Sequence, residues 1–554
     1  DGTESSKSEI NKYVNQKLGL NNENLDDSRF VFYEELKDRV KDLSLNDAVL
    51  EINHWCHEKA NYKGSDSRTS SPLATVKTSW GRCGEESTFL VAALRAMCIP
   101  ARQVYTPRWA HCDDNHAWVE AYVDGEWHFL GACEPEPVLD LGWFNAPASR
   151  CLLLHTRVFG RYYGPEEVIE RTANHTEINV VYNYAPTSKM TVKVVDNEGD
   201  IVPNAKVQFK IYNYAEFNTV AVKYTDENGE TWMTAGNGDM LVYASKDGKF
   251  GFQEMPFGKT NQVVITLDKE NGSEMIVEYD ITPPAENAKM PEVTAEMRAE
   301  NDRRFAYEDS LRNAYIASFP RDIDDKEILT LIEKSWGNYQ TILDFIAYAE
   351  NNNKRQIAIN LLKQISDKDL RDVTMDVLVD NLDYSVDGEG DIYNAYILNP
   401  RVSNEMIRPY KKTLSAYFDK TQIEKFNDNP QDLVEWVSDN ISVNNKMNVR
   451  NIPMLPTSVV KSMVTDARSR GIFFVSMARS LGIASRIDPV TAKVQYMKDN
   501  QWIDVNFEAV ETDILPTQQG SLMAKYTPSS ALTDLRYYTH FSIKKLLCII
   551  IVID

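Results

Sequence analysis

Residues 79–102 read SWGRCGEESTFLVAALRAMCIPAR, and the fold turns on what Cys83 does there. The cysteine sits between Gly81 and Gly84 at the head of a helical run. Phe89, Leu90, Ala93, Leu94 and Met97 recur behind it with a period near 3.6. The start of a helix offers unpaired N–H groups and the positive end of the macrodipole, both of which favour a thiolate. Gly81 and Gly84 let a substrate approach the backbone, and the Cys83 N–H is placed to bind an oxyanion. A thiol attacks carbonyls as thiolate and needs a base. His116, 33 residues on (116 − 83), opens the strand HAWVEAYV and is the candidate. ARQVYT (101–106) is a second strand, and Asp124-Gly125 turns tightly into a third, EWHFLGA (126–132). Taken singly, a buried cysteine is a common core residue and a strand histidine is usually just hydrogen-bonded. The glycines, the helix start and the hairpin together favour chemistry.

A second stretch, TDARSRGIFFVSMARSLGIASR (465–486), repeats the pattern without the cysteine. Aligning Arg486 with Arg102 gives an offset of 384 (486 − 102). Pro72 then meets Pro456, Phe89 meets Phe473, Val91 meets Val475 and Ile99 meets Ile483. Trp55 and Trp436 fall in similar upstream helices, and past a shortened loop AYVDGEW (121–127) meets YMKDNQW (496–502). Cys83 becomes Ala467 and His116 becomes Thr491, so the fold alone requires neither.

GRCGE with an LRAMCIPAR helix end, NHAWVEAY and a Trp-led strand resemble the transglutaminase-like superfamily of papain-like cysteine enzymes over about residues 45–135. The closest motif-level likeness is to its peptide:N-glycanase branch, which also carries GRCGE. The resemblance implies that Cys83 attacks an amide carbonyl, that His116 shuttles the proton, and that an acid orients the histidine. The superfamily places an Asp four residues after the strand Trp, but Trp127 leads here to Gly131. Glu134, the nearest of the acids in ACEPEPVLD (with Glu136 and Asp140 beyond), is the substitute expected. Trp80, Gly84 and Trp118 flank the pair and are candidates to shape an acyl cleft or bind the oxyanion. Packing is the alternative for both tryptophans. Asp113, Asp114 and Asn115 make the mouth acidic, which suits an amine- or lysine-bearing partner. Glycanase proper is disfavoured because that branch's cytosolic enzymes carry paired CxxC zinc motifs, and no CxxC occurs here.

Elsewhere composition mostly excludes. At 554 residues the chain exceeds one core, and 43% hydrophobic content marks it as globular. A net charge of −22 without a basic cluster argues against nucleic acid. The longest apolar run, LLCIIIVI (546–553), is far short of the ~20 residues of a membrane span and reads as a terminal buried strand. The polar N-terminus lacks a signal peptide, which fits a cytoplasmic protein or a mature exported one. Seven cysteines, six of them before residue 152, fit free thiols better than a disulfide framework. Cys112 with His116 is a lone pair, and His54, Cys56 and His57 crowd too closely for a tetrahedral metal site. No metal or other cofactor is expected.

The fold class expected is multidomain α+β: a papain-like transglutaminase core (1–182), a β-sandwich (183–284), a helical bridge (285–428) and a second, degenerate transglutaminase-like core (429–554). Short alternating strands between DNEGD, DENGE, GNGD and KDGK turns mark the sandwich, which resembles prealbumin-like carboxypeptidase regulatory domains and implies a spacer or interaction module. The function expected is a cysteine-dependent amide hydrolase or acyltransferase acting on a peptide or glycopeptide. The alternative is a weak or inactive binding scaffold. The architecture suits an exported bacterial protein at the cell surface.

Overall fold

The structure, a computed structural model, describes residues 26–66, 68–270, 275–448, 452–508, 525–528, 533–546 and 549–551. The polar N-terminal stretch lies outside these residues, as does part of the apolar run 546–553. Helices α1 (Ser28–Val40) and α2 (Leu45–Lys59) come first; the Ser44 hydroxyl caps α2 by accepting Asp47 N at 3.1 Å. Helix α3 (Pro72–Thr78) starts on Ser71 with proline in its first turn and stops at left-handed Ser79. Strand β2 (Trp80–Gly81) pairs in parallel with β1 (Asn61–Tyr62), and α4 (Cys83–Ala96) follows at once. Residues 80–83 therefore form a strand-to-helix turn with the cysteine at its corner.

Strands β3 (Ala101–Thr106), β4 (His116–Val123) and β5 (Glu126–Leu130) form an antiparallel meander, extended by β6 (His155–Phe159), β7 (Val168–Arg171) and β8 (His175–Asn179) into a sheet of order 5-4-3-6-8-7. Asp124 and Gly125 both take positive φ in the β4–β5 turn. Helix α4 lays Phe89, Leu90, Ala93 and Leu94 on this sheet, in one core with Ile52, Trp55, Val119 and Ala121. Phe32, Trp55 and Phe89 meet at centroid distances of 5.1–5.4 Å. Each such side chain, fully buried, contributes about 2 kcal/mol.

Eight strands follow, β9 (Thr187–Val195), β10 (Lys206–Asn213), β11 (Glu216–Tyr224), β12 (Glu230–Gly236), β13 (Asp239–Lys246), β14 (Lys249–Pro256), β15 (Gln262–Thr266) and β16 (Lys269–Glu270). They make two sheets, 11-10-13-14-16 and 12-9-15. Alternate residues point inward: Met190, Val192 and Val194 on β9, Val207, Phe209 and Ile211 on β10, Met240, Val242 and Ala244 on β13. Leu152 and Leu153, from before β6, enter the same core.

The long helix α5 (Ala295–Ala317) then packs on α2, with Glu308 between His54 Nδ1 and His57 Nδ1 at 2.8 Å each. Helices α6 (Lys326–Ser335), α7 (Tyr339–Asn351), α8 (Arg355–Gln364), α9 (Asp367–Asp372) and α10 (Met375–Tyr384) share an aliphatic core. In the last part, α11 (Lys411–Ser415) and α12 (Pro430–Asn440) pack with β17 (Ser442–Val443), α13 (Pro456–Ser462), β18 (Val464–Thr465), α14 (Ala467–Ser480), β19 (Ser485–Ile487), β20 (Val494–Lys498) and β21 (Gln501–Asp504). The order from α13 to β21 repeats that from α3 to β5, and α13, α14 and β19 start 384 residues after α3, α4 and β3 (467 − 83). Matching details recur. Ser79 and Met463 are both left-handed helix ends; Arg95 Nε reaches Ala101 O and Arg479 Nε reaches Ser485 O, each at 3.0 Å. Arg102 stacks on Trp127 as Arg486 stacks on Trp502. Thr491 lies outside β20, in a turn closed on Asp488.

Candidate active site

Gly81 makes the corner possible: a Cβ there would fall 2.5 Å from Glu85 Cβ, so the chain passes too close for any side chain. Glu85, in the first turn of α4, accepts Arg82 N at 3.1 Å and Arg82 Nε at 3.0 Å. Its other oxygen takes Lys368 Nζ from α9 at 2.6 Å. Burial alone would raise the Glu85 pKa, but Lys368 and Arg82 hold it below the usual carboxylate range. The head of α4 is thus fastened from the helical region.

The half-buried Cys83 thiol accepts the backbone N–H of Ala117, the residue after His116. Cysteine and histidine, separated in sequence, are therefore brought to one place by packing α4 on β4. Burial pushes the Cys83 pKa up and the Glu86 and Glu85 charges add to this, outweighing the Ala117 N–H and Arg82. His116 sits among rings: centroid distances are 4.8 Å to Trp143, 5.5 Å to Phe144, 5.8 Å to Trp118 and 6.3 Å to Trp109. Its Nε2 is buried with no partner, and burial pushes its pKa down to about 4. At neutral pH the pair is thiol and imidazole, not thiolate and imidazolium. An imidazole nitrogen in this state is able to accept a proton.

The acid expected at Glu134 is placed otherwise. Glu134 folds back over Gly131, where a Cβ would lie 2.9 Å from its Oε2, and that oxygen accepts Trp143 Nε1 at 3.0 Å. No hydrogen bond joins Glu134 to His116 among the described residues. Asn53 of α2 fixes the turn, giving Nδ2 to Gly131 O and taking Cys133 N. Of the flanking candidates, Trp118 is fully buried and donates its indole N–H to Tyr184 Oη at 2.9 Å, so it packs the sheet and has no donor left for an oxyanion. Trp80 keeps a buried indole N–H without a partner, its ring between Lys63, Arg371 and Trp336. Gly84 is buried inside α4, its carbonyl accepting Thr88 Oγ1 at 2.7 Å. Glu136 pairs with Arg298 and Asp140 with His128. Asp113 and Asp114 are both exposed at the mouth, and Asp113 also accepts Tyr214 N from the sandwich at 2.6 Å.

Sequence reasoning missed the ring cage and the third carboxyl. Trp109 and Trp143 belong to loops without periodicity, so only the fold carries them to His116. Tyr62 and Tyr105 lie near enough for the Cys83 charge to add to the burial that raises their phenols. Glu86, beneath Cys83 on α4, is buried with Oε1 unpartnered, and burial pushes its pKa well up. Its place in GEES gave no hint of this. Among the described residues no cluster of three His, Cys, Asp or Glu is arranged to hold a metal, and no helix is long and apolar enough to cross a membrane.

Residues 34–132 match the family model of the transglutaminase-like superfamily, a span that takes in Cys83 and His116 and ends two residues before Glu134. This segment is a transglutaminase-like domain. Among solved structures, a candidate cysteine protease from Cytophaga hutchinsonii is 24% identical over 21% of this chain and 47% of its own, with a TM-score of 0.17. A red sea bream transglutaminase is 11% identical over 47% of this chain and 62% of its own, with a TM-score of 0.21. The chain thus spans less than two thirds of either structure's length. No curated protein matches the chain in sequence.

Proposed function

We propose that the chain is a cysteine-dependent amide hydrolase or acyltransferase acting on peptide or glycopeptide substrates. One observation carries this: the Cys83 thiol, at the start of α4, rests on the N–H next to His116, inside a transglutaminase-like domain. Sulfur attacks the amide carbonyl as its proton passes to His116, and the imidazolium returns that proton to the departing amine. Water or a primary amine then attacks the thioester and gives its proton to His116, and the expelled Cys83 sulfur takes that proton back from the imidazolium. The Cys83 N–H, free at the helix start, and the unpaired Trp80 indole N–H are the donors for the oxyanion. Glu134 acts through Trp143, holding the ring that closes His116 off from water.

The same reading takes residues 1–182 as the catalytic part, 183–284 as a prealbumin-like sandwich, 285–428 as a helical bridge and 429–554 as a second transglutaminase-like core without nucleophile or base. Ala467 stands at the helix start where Cys83 stands in the first copy, and this favours the second copy as a recognition surface. The architecture points to an extracytoplasmic setting. A second reading, a binding scaffold without turnover, draws on the un-ionised pair and on Glu134's engagement with Trp143.

Peptide and glycopeptide thioester formation on Cys83, trapped by acid quench and read by peptide mass spectrometry, separates the two. An acyl adduct on Cys83 that His116→Ala lowers by about 10²-fold or more supports the enzyme. Ligands that bind the native chain and Cys83→Ala equally, with no adduct, support the scaffold.

A further inference from the structure

We propose that Asn213, at the tip of a hairpin in the β-sandwich, is a positioning residue for His116, holding the Trp109–Asn115 loop that covers the imidazole. The proposal rests on the assignment of His116 as the base, and it makes the sandwich part of the active site.

The loop joins β3 to β4 and has little of its own to hold it: Trp109 N reaches Asp114 O at 3.1 Å and Thr106 Oγ1 reaches Arg108 O at 3.2 Å. Three of its carbonyls meet one side chain from the sandwich. Asn213 Nδ2 donates to Trp109 O at 3.0 Å, Cys112 O at 2.8 Å and Asp114 O at 3.3 Å. Asn213 is 2% exposed, so losing the amide leaves carbonyls at that contact short of a donor. The next residue adds a second tie, Tyr214 N to Asp113 Oδ1 at 2.6 Å.

The hairpin tip carries an independent mark. Tyr214 and Ala215 join β10 to β11 with φ of 53° and 52°. A two-residue turn with both φ positive is ordinarily Asn-Gly, because a β-carbon disfavours the left-handed region. Backbone strain of this kind persists where its surroundings over-determine it. Here the strained tip delivers the Asn213 amide and the Tyr214 N–H to the same loop, and Asn218 Nδ2 steadies Asn213 O at 2.8 Å.

The loop in turn sets the imidazole's surroundings. Trp109 is buried and stacks on His116 at 24° and on Trp118 at 9°. Arg108, His111, Cys112, Asp113 and Asp114 lie on the same loop, and Cys83, Glu86, Glu134 and Tyr105 lie on the elements packed round the site. Burial alone, and none of these charges, lowers the His116 pKa. Freeing the loop lifts Trp109 and admits water to Nε2.

The test is an NMR titration of His116 in the full chain, labelled at histidine and assigned with His116→Gln. Asn213→Ala and Asn213→Asp, neither of which can donate to the three carbonyls, are expected to move His116 from about 4 toward 6.5, at least a tenfold gain in proton affinity. Gln208→Ala, on the same strand but bonded outward to Thr219, is expected to leave it in place. Thermal melts accompany each variant. Should Asn213→Ala unfold, Asn213→Ser, which retains one donor, is expected to shift His116 in the same direction by less. Folded Asn213 variants with His116 still at about 4 overturn the proposal. A chain that titrates as expected but forms no thioester at Cys83 overturns the enzyme reading alone.

Discussion

Glu134 accepts the Trp143 indole N–H at 3.0 Å, and the ring it holds stands 4.8 Å from His116 while remaining 58% exposed on its other side. The carboxylate therefore shapes the base's surroundings without touching it. A side chain at 131 would stand 2.9 Å from Glu134 Oε2 and 3.2 Å from its Cβ, so Glu134 has to give way before an acid can sit there. Gly131→Asp alone is expected to lower the melting temperature. Gly131→Asp with Glu134→Ala opens room for a carboxylate at the position the superfamily uses. An opposite charge near an imidazole raises its pKa by about 1–3, so the double variant is expected to raise the His116 pKa and speed Cys83 alkylation at pH 7 about tenfold. Alkylation no faster than in the native chain refutes this account of the missing acid.

Without substrate, Cys83 is expected to be a slow thiol. Burial raises its pKa, so the iodoacetamide rate should reach half its maximum above the ~8.5 of an ordinary cysteine. His116, lowered to about 4, should stay a competent base in mildly acidic solution, with no break in turnover near pH 6.5. A Cys83 midpoint below 7 contradicts the neutral pair.

Lys411 is fully buried, with Nζ on Ile397 O at 2.5 Å, and burial with help from Arg479 lowers its pKa from 10.5 to about 7 despite Asp380. Between pH 7 and about 10.5 the unfolded chain holds more protons than the folded one, so this group makes stability rise with pH across that window. Below pH 7 the lysine is charged in both states and the whole burial penalty remains. Lys411→Met is expected to stabilise the chain at pH 7 by about 1–4 kcal/mol and to flatten the rise. Urea unfolding at pH 7 and 9 measures both; an unchanged slope counts against it.

Glu86 has the opposite sign. Its folded pKa stands well above the ~4.3 of an unfolded glutamate, so stability contributed by its protonated form is lost as pH rises. Glu86→Gln is expected to stabilise the chain by about 1–2 kcal/mol more at pH 8 than at pH 5. Denaturation midpoints that shift equally at both pH values contradict this.

Local pattern foretold the helix behind Cys83, the β3–β5 meander and the Asp124-Gly125 turn, because each rests on periodicity or turn chemistry within a dozen residues. Strands β6–β8 escaped: β8 is buried at every position, which erases alternation. The site's surroundings escaped for a different reason. Trp143, Trp109 and Asn213 reach His116 or its loop from three separate segments, so only tertiary packing joins them. Trp118 was legible as a neighbour of His116, but its partner Tyr184 lies 66 residues away, and that distant hydroxyl is what takes it out of the chemistry.

The ammonium that balances Glu85 comes from Lys368, 283 residues downstream. A gene fragment that stops after the sixth strand of the first sheet would carry Cys83 and His116, yet leave Glu85 at the foot of α4 with Arg82 as its remaining counter-ion. Under the proposed function, this part moved alone to another host is expected to lose its activity, and a protease that cuts between the sandwich and α9 is expected to do the same without touching Cys83 or His116. The site is not portable.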